Sequence, residues 1–381
     1  MARLGDYIEQ IRGVSYKPED VCTSTDGKAV AILRANNIQD DGLNFDDLVY
    51  VKGNKVSDKQ YIRKGDIVIC ASSGSKNLVG KAAIANYDLP ISFGAFCKVV
   101  RSRELNPSYV GHFFQSPKDR STIAELSGGA NINNIRNEHI DDLDIVVIDE
   151  KEQERVVAEL DKLCTLISLR KQQLAKLDEL VKSRFIELFG DPKYNKSNLV
   201  KIGEIGALTS GGTPSRAKPE YFEGDIRWYS AGELNSLYLP DSVEHISEMA
   251  LQQSSAKLFN KGTLMIGMYD TAAFKMGILT EDSSSNQACA NLNPKQGYNI
   301  VWLYYLFDIM KPIFLQERQG VRQKNLSLSK IKEFEVPFAP IELQEQFATF
   351  VEQTDKSKFE IQKSLEKLET LKKALMQKYF G

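Results

Sequence analysis

The chain has 381 residues, of which 42% are hydrophobic, 26% charged and 9% aromatic, and this globular composition excludes a disordered, collagen-like or membrane-embedded protein. Lys and Arg together number 49 against 51 for Asp and Glu. The net charge of −2 does not indicate a nucleic-acid binder, so any anionic partner must meet local basic patches. The scattered five cysteines and three histidines predict no disulfide framework and no metal site. No apolar run of about 18 residues is present, so we predict no membrane contact and a cytoplasmic location.

Residues 1–150 show the mixed pattern of an α/β domain. The apolar runs at 66–70 and 95–100 predict strands. Asn106-Pro107 predicts the start of a helix, with Asn as the N-cap and Pro in the first turn.

Residues 151–190 carry the pattern of one long helix. Apolar side chains recur at alternating spacings of four and three residues, with Arg170 and Arg184 as polar interruptions, and this spacing predicts a coiled-coil seam. The seam residues are Val156, Leu160, Leu163, Ile167, Leu174, Leu177 and Val181.

Residues 191–340 repeat the α/β pattern, and residues 341–381 repeat the long helix. The apolar run at 263–267 predicts a strand, and Asn293-Pro294 predicts a second helix start. The seam residues of the second long helix are Phe347, Val351, Ile361, Leu365, Leu368 and Leu375.

The chain consists of two copies of one unit. At an offset of 191 residues Asn134 matches Asn325, and Phe189 matches Phe380. Insertions and deletions fall only in the first part of each copy, which indicates a constant helical scaffold carrying two variable globular segments. We favour pairing of the two helices over packing of each helix on its own domain, and the globular segment between them favours an antiparallel pair. The predicted fold is α+β, with two α/β domains joined by two long helices in an antiparallel coiled coil.

The sequence offers little support for an enzyme. The segment from Asn106 to Tyr109 resembles the Asn-Pro-Pro-Tyr motif of adenine-N6 methyltransferases, which raises the alternative of a self-sufficient methyltransferase. Such an enzyme also needs a glycine-rich turn after a strand to hold S-adenosylmethionine, and the sequence has none in that context. The phosphate-binding loop of ATPases is also missing. We therefore predict no catalytic residue, no cofactor site and no metal site on this chain.

Polar loops suit nucleic-acid recognition better, because Asn and Gln amides pair with an adenine edge and Arg or Lys with guanine or phosphate. Residues 316–332 carry five basic side chains against one glutamate. Glycines in the loops at 12–17 and 210–216 permit close approach of the backbone to a ligand. The alternative for each single residue is a solvated loop without a specific role. The candidate DNA-binding residues are Ser15, Tyr16, Lys17, Arg34, Asn36, Ser73, Ser75, Lys76, Asn77, Asn131, Asn133, Asn134, Arg136, Thr213, Ser215, Arg216, Lys218, Tyr269, Thr271, Lys275, Arg322, Gln323, Lys324 and Asn325.

Several motifs of the second copy point to a known family. They are Lys-Ile-Gly-Glu-Ile at 201–205, Thr-Ser-Gly-Gly-Thr-Pro-Ser at 209–215, Ile-Arg-Trp-Tyr-Ser-Ala-Gly-Glu-Leu at 226–234 and Pro-Ile-Glu-Leu-Gln-Glu-Gln at 340–346. Together with the duplicated domain and helix, they resemble the specificity subunit of a type I restriction-modification system over essentially the whole chain. The first copy departs from the pattern at 14–17, where Val-Ser-Tyr-Lys replaces Gly-Thr-Pro-Ser.

The resemblance implies a non-catalytic subunit whose two target recognition domains each read one half of a split, asymmetric DNA site. The paired helices then act as a ruler between the halves. Two modification subunits would bring S-adenosylmethionine, and two restriction subunits, in the nuclease form, would bring ATP and Mg²⁺. The alternatives are a specificity module for a methyltransferase without a nuclease, and a coiled-coil scaffold whose domains bind proteins.

Overall fold

A computed structural model of the chain describes residues 1–75, 78–128, 133–318 and 325–381, with Asn133 described by its backbone alone. The described chain divides into two compact units. The first unit comprises Met1–Gln173 and Ile361–Gly381, and the second comprises Leu174–Glu360.

The elements of the first copy precede residue 190. The strands are β1 (Ala2–Arg3), β2 (Ile8–Arg12), β3 (Val21–Cys22), β4 (Ala29–Leu33), β5 (Ile38–Gln39), β6 (Gly42–Leu43), β7 (Val49–Lys52), β8 (Ile67–Cys70), β9 (Ser72–Ser73), β10 (Ala82–Ile84), β11 (Ile91–Phe93), β12 (Cys97–Ser102), β13 (Asn133–Asn134) and β14 (Asp144–Ile145). The helices are α1 (Pro107–Phe114), α2 (Pro117–Leu126), α3 (Asn137–Asp141) and α4 (Glu150–Phe189).

The elements of the second copy follow. The strands are β15 (Leu199–Lys201), β16 (Gly206–Ser210), β17 (Ile226–Tyr229), β18 (Glu244–Ile246), β19 (Leu258–Phe259), β20 (Leu264–Gly267), β21 (Met276–Ile278), β22 (Ser283–Ser285), β23 (Cys289–Pro294) and β24 (Glu335–Pro337). The helices are α5 (Ile202–Ile205), α6 (Glu248–Gln253), α7 (Ile300–Phe314), α8 (Leu328–Glu333) and α9 (Ile341–Phe380).

The same antiparallel sheet recurs in both units. Its strand order is β10-β8-β12-β2 in the first unit and β21-β20-β23-β16 in the second. A second, mixed sheet accompanies it, with order β11-β4-β7-β3 in the first unit and β18-β17-β22-β19 in the second. Every residue of β8 and of β20 is buried, which explains their uninterrupted apolar sequences. The predicted strands at 66–70, 95–100 and 263–267 are confirmed, although β12 begins only at Cys97 because residues 95–96 form a turn.

The two predicted helix starts have different outcomes. Asn106 caps α1 as predicted, because its side chain accepts from the backbone N–H groups of Ser108 and Tyr109 at 2.9 and 3.3 Å. The prediction at Asn293-Pro294 is wrong. Pro294 is the last residue of β23 and pairs with Gly206, and the cap of α7 is Asn299.

One buried glutamine in each copy joins the start of a long helix to the α/β part. Gln344, near the start of α9, accepts from the backbone N–H of Asn299 at 2.8 Å. Gln153, near the start of α4, accepts from the backbone N–H of Asn106 at the same distance. These equivalent contacts show that α1 corresponds to α7, and they place the second copy's helix cap at Asn299.

In the first unit, the beginning of α4 and the end of α9 lie side by side. Val156 and Leu160 of α4 share one apolar core with Phe380 of α9. The Tyr379 hydroxyl donates to Glu159 Oε2 at 2.6 Å. Farther along both helices, Lys171 Nζ lies 3.5 Å from Glu369 Oε1, so the two segments run antiparallel.

In the second unit, the end of α4 and the beginning of α9 pair in the same sense. Phe185 packs edge-on against Phe347, with ring centroids 5.2 Å apart, and Lys358 Nζ lies 2.6 Å from Asp178 Oδ1. The antiparallel pairing favoured from the sequence is therefore confirmed within each unit.

Burial along the long helices shows which seam positions lie inside the protein. Phe185 is fully buried, although the heptad register placed Arg184 there. The seam residues that are buried are Val156, Leu160, Leu163, Ile167, Val181, Phe347, Val351 and Leu365. The seam residues that are half-buried are Leu174, Leu177, Ile361, Leu368 and Leu375. Phe380 also contacts Tyr109 of α1, with ring centroids 5.1 Å apart, so helix pairing and packing on the α/β part coexist at this end.

Candidate nucleic-acid interface

In the first unit, two segments that carry candidate DNA-binding residues form a small β-ladder. β9 pairs with β13, so that Ser73 faces Asn133 and Ser72 faces Asn134. The N–H of Ile135 extends the ladder by donating to the Ala71 carbonyl at 2.8 Å. The segments that follow β8 and precede α3 are thereby brought together, although Ser73 and Asn133 are 60 positions apart in the sequence.

A cavity of about 430 Å³ opens beside this ladder. Three candidate DNA-binding residues line it: Ser15, Asn134 and Arg136. Arg12 and Lys98 line it as well. The cavity therefore joins the loop after β2 to the segment before α3, and its wall carries three cations and one carboxylate, that of Glu138.

Lys98 is the residue of this cavity that the loop-based reasoning missed. It is the second residue of β12, is 8% exposed, and donates through Nζ to Asn137 Oδ1 at 2.6 Å. Burial lowers the pKa of Lys98 to about 8, and repulsion by Arg12 adds to the effect. A lysine inside the apolar run at 95–100 was the available signal, since lysine is rarely buried.

Other candidates of the first unit are already engaged by the protein. Arg34 donates to Asp47 Oδ2 at 2.6 Å, and Lys17 lies 3.9 Å from Glu19. Tyr16 packs on the small core beneath the mixed sheet. The backbone carbonyl of Asn36 accepts from the Gln39 side-chain amide at 2.7 Å.

The remaining first-unit candidates lie in or near the polar loops. Ser73 Oγ accepts from the N–H of Ser75 at 3.1 Å. Lys76, Asn77 and Asn131 lie outside the described residues, as does the side chain of Asn133.

In the second unit, the loop after β20 meets the segment before α8, as the equivalent loops do in the first unit. The N–H of Asp270 donates to Asn325 Oδ1 at 3.0 Å, and the N–H of Leu326 donates to the Met268 carbonyl at 2.8 Å. Tyr269 and Thr271 are exposed beside this contact. Lys275, which follows them, is half-buried. Arg322, Gln323 and Lys324 lie outside the described residues.

The Thr-Pro-Ser loop of the second unit holds its cation in an internal contact. Arg216 forms a two-point ion pair with Glu244, one arm of which measures 2.7 Å, and this hydrogen bond holds the pKa of Glu244 below its usual value. The guanidinium also lies 4.3 Å from the centre of the Phe222 ring. Lys218 donates to the Tyr221 hydroxyl at 2.9 Å. Thr213 donates to Gln287, and Ser215 is exposed.

The glycines of these loops serve packing of the protein on itself. A Cβ on Gly13 would collide with the Gly94 carbonyl, and one on Gly212 would collide with the Ser255 carbonyl. The Gly212 carbonyl also accepts from Trp228 Nε1 at 3.0 Å. The sequence predicted that these glycines let the backbone approach a ligand. In the structure, the group that approaches each glycine closely is a neighbouring backbone carbonyl.

These loop clusters sit on a duplicated domain that sequence comparison identifies. The profile of the type I restriction modification DNA specificity domain matches residues 2–179 and again residues 194–373. The chain belongs to this family. Each half of the chain carries one copy of the DNA specificity domain, which confirms the family indicated by the sequence motifs.

Two curated relatives share part of the chain. Over 173 residues, which are 45% of the chain, it is 39% identical to the StySPI specificity subunit of Salmonella potsdam and to the EcoKI specificity subunit of Escherichia coli K12. The matched stretch covers 37% of either relative's length.

Solved structures share the whole fold. The S subunit of a type I restriction-modification system from M. genitalium aligns with 100% of this chain and 95% of its own, with a TM-score of 0.58 at 16% identity. A structure concerned with complex assembly and conformational transition of the type I system aligns with 98% of this chain and 97% of its own, with a TM-score of 0.55 at 16% identity. These likenesses support the fold of two α/β domains and two long helices.

The described residues contain neither a membrane-spanning helix nor a metal-binding cluster. None of the helices there has the combined length and apolar character that crossing a bilayer needs. In the same part of the chain, no three His, Cys, Asp or Glu side chains come together in a way that could hold a metal ion.

Proposed function

We propose that this chain is the sequence-specificity subunit of a type I restriction-modification complex and that it reads a bipartite, asymmetric DNA site. Residues 1–150 and 191–340 are the target recognition domains, and each reads one half of the site. Residues 151–190 and 341–381 are the helices that set the gap between the halves. The observation that carries this proposal is the duplication of a DNA specificity domain with a polar loop cluster at the same place in each copy.

The different loop sequences on one repeated scaffold suit two unlike half-sites. Base edges are read by individual side-chain hydrogen bonds, so a change of loop residues changes the sequence that is read while the fold stays the same. Ser15 and Asn134 are the first unit's candidate readers, with Arg136 as a further candidate DNA contact, and Tyr269 and Thr271 are the second unit's candidate readers.

The chemistry belongs to partner subunits. Two modification subunits bind the helices, supply S-adenosylmethionine and methylate an adenine that is flipped out of the stack. In a nuclease form, two restriction subunits add ATP- and Mg²⁺-dependent activity. Because this chain has a net charge of −2, the modification subunits provide much of the phosphate contact. The complex acts on double-stranded DNA in the cytoplasm and has no membrane partner.

A binding experiment tests this division of labour. The isolated chain binds DNA weakly, and the chain assembled with its modification subunits binds tightly and in a sequence-specific way. Affinity of the isolated chain equal to that of the complex would contradict the proposal.

A double substitution separates base reading from a protein-binding scaffold. Arg322→Ala with Lys324→Ala is expected to abolish recognition of one half-site only, because both cations belong to the basic sequence stretch 316–332 of the second copy. The matched control is Lys193→Ala with Lys196→Ala, which removes the same charge from the connection between α4 and β15. Unchanged DNA-directed activity of the first variant would favour the scaffold.

A further inference from the structure

The cavity of the first unit contains a cation that the protein leaves without a contacting carboxylate. Lys98 Nζ donates to Asn137 Oδ1 at 2.6 Å and to Gln10 Oε1 at 3.4 Å. Both acceptors are neutral amides. An ammonium group has three N–H donors, so one donor is left for a ligand in the cavity.

The charges around Lys98 come from two neighbouring elements. Arg12 faces it from β2, where the two residues are directly paired, and Arg136 lines the same cavity just before α3. Within the described residues, two carboxylates on α3 act on Lys98 through space: Glu138, which also lines the cavity, and Asp141. Glu138 lies 3.6 Å from Arg136, and Asp141 accepts from the Gln10 amide at 2.8 Å. On the other side of Lys98, β8 presents the apolar side chain of Ile69.

The fold itself does not require this lysine. In the second unit, β16 pairs with β23 as β2 pairs with β12, and Ser210 faces Ala290 where Arg12 faces Lys98. Ala290 is fully buried in the apolar core of the second unit. The same sheet position therefore holds the methyl group of an alanine in one copy and a buried cation in the other. The sheet can form without a lysine at this position.

We propose that Lys98 forms the floor of an anion-binding pocket that receives one backbone phosphate of the DNA bound by the first unit, with Arg12 and Arg136 at the walls. This assignment rests on the proposed DNA-reading function. A phosphate fits the observations better than a base edge does, because ammonium acts as a point charge toward phosphate, whereas base recognition favours the planar, two-point donors of Arg, Asn or Gln. The cavity volume of about 430 Å³ has room for a phosphate and its flanking sugar atoms.

Proton linkage gives this contact a distinctive pH dependence. The pKa of Lys98 in the free protein is lowered to about 8, and a bound phosphate raises it by favouring the charged form. Binding at a pH above 8 therefore takes up a proton. The affinity for DNA is at its full value below pH 8 and decreases as the pH rises through the range from about 8 to the higher pKa of the complex.

The test uses the full chain assembled with its modification subunits and a duplex that contains the methylated site. Lys98→Met removes the charge, and Lys98→Arg retains it without titrating in this pH range. The matched control is Lys81→Met. Lys81 lies in the same unit and, like Lys98, donates to a glutamine at 3.4 Å. Unlike Lys98, it has a carboxylate partner, Asp40, at 3.7 Å. Affinity is measured between pH 7 and 9.5 and over a series of salt concentrations.

We expect Lys98→Met to bind about tenfold more weakly at pH 7, as loss of one charge-assisted hydrogen bond requires. The slope of log affinity against log salt falls by roughly 0.9, the value for one phosphate contact. The decrease in affinity above pH 8 disappears in Lys98→Met and in Lys98→Arg. Lys81→Met behaves as the wild type does.

A second measurement begins with the wild-type protein, so its first result does not depend on the folding of a variant. Each phosphate of the first half-site is replaced in turn by an uncharged methylphosphonate, and one replacement is expected to weaken wild-type binding about tenfold. The same replacement has no further effect on Lys98→Met. An unchanged salt slope for Lys98→Met overturns the phosphate assignment, and so does a loss of affinity that depends on the bases of the half-site. In either case the proposed function stands as long as the wild-type complex binds its DNA site. Failure of the wild-type complex to bind any DNA overturns both.

Discussion

Replacing Gln344 with alanine tests how the second unit is joined to its long helix. Gln344 has no exposed surface. Its Oε1 accepts from the Asn299 N–H at 2.8 Å, and its Nε2 donates to the Ala339 carbonyl at 2.6 Å and to the Gly297 carbonyl at 3.3 Å. The substitution therefore removes three contacts of one side chain at the point where α7 begins.

The magnitude follows from the two short contacts. Each buried polar group that loses its partner costs about 1–3 kcal/mol, so Gln344→Ala is expected to lower the free energy of unfolding of the second unit by about 3 kcal/mol. For a unit of this size, that loss corresponds to a decrease of roughly 10 °C in the unfolding midpoint. The matched control is Gln346→Ala, an exposed glutamine two residues farther along α9, for which we expect almost no change.

Urea unfolding combined with hydrogen exchange distinguishes the two units in this experiment. Exchange should accelerate in the second unit, beginning at α7, while the first unit keeps its protection, because Gln153 makes the equivalent contact there. A loss below about 0.5 kcal/mol, the ordinary effect of a surface substitution, would refute the reasoning. Equal acceleration in both units would refute it as well.

Three further substitutions have expected outcomes. Phe380→Ala removes a buried ring that contacts Tyr109 and Phe113 at centroid distances of 5.1 and 6.0 Å, so the first unit should lose about 3–5 kcal/mol in urea unfolding; a loss below 1 kcal/mol would contradict this. Burial raises the pKa of Asp119 to about 8 from an ordinary value of 3.8, so stability falls as the pH rises between these values. Asp119→Asn should gain stability over the wild type across that range, whereas parallel pH profiles would contradict the buried carboxyl. Thr271→Ala should weaken binding of the assembled complex to one half-site only, and an equal loss at both halves would count against separate recognition domains.

The repeat and the long helices could be predicted from the sequence because their signals are local and periodic. A heptad pattern fixes which helix face is apolar, and the Asn106 cap follows from adjacent residues. The pattern failed at Arg184, because the neighbouring Phe185 packs against Phe347 and takes the buried position. Which of two neighbouring residues is buried depends on the side chain that packs against them. The spacing of apolar residues in one helix gives no information about that side chain.

The second helix start and the cavity lysine needed information from distant residues. The dipeptide Asn-Pro predicts a helix cap from local sequence, but Pro294 is the last residue of β23 and pairs with Gly206. The chain then turns at Gly297, which has a φ of 95°, and Asn299 caps α7. Lys98 becomes a candidate site only when β12 and α3 enclose one cavity. The strand sequence could have raised the question, since a lysine interrupts a buried run, but only the tertiary structure identifies Asn137 as its partner.

The most direct measurement of the central claim is single-molecule sequencing for N6-methyladenine in cells that express the modification subunit with and without this chain. The account predicts a split motif, with two unlike halves and a fixed gap, that is methylated only when the chain is present. Exchange of residues 191–340 for the equivalent segment of another specificity chain should change one half of the motif and leave the other half intact. Absence of new methylation from a complex shown to assemble, or a motif that does not depend on the chain, would contradict the account.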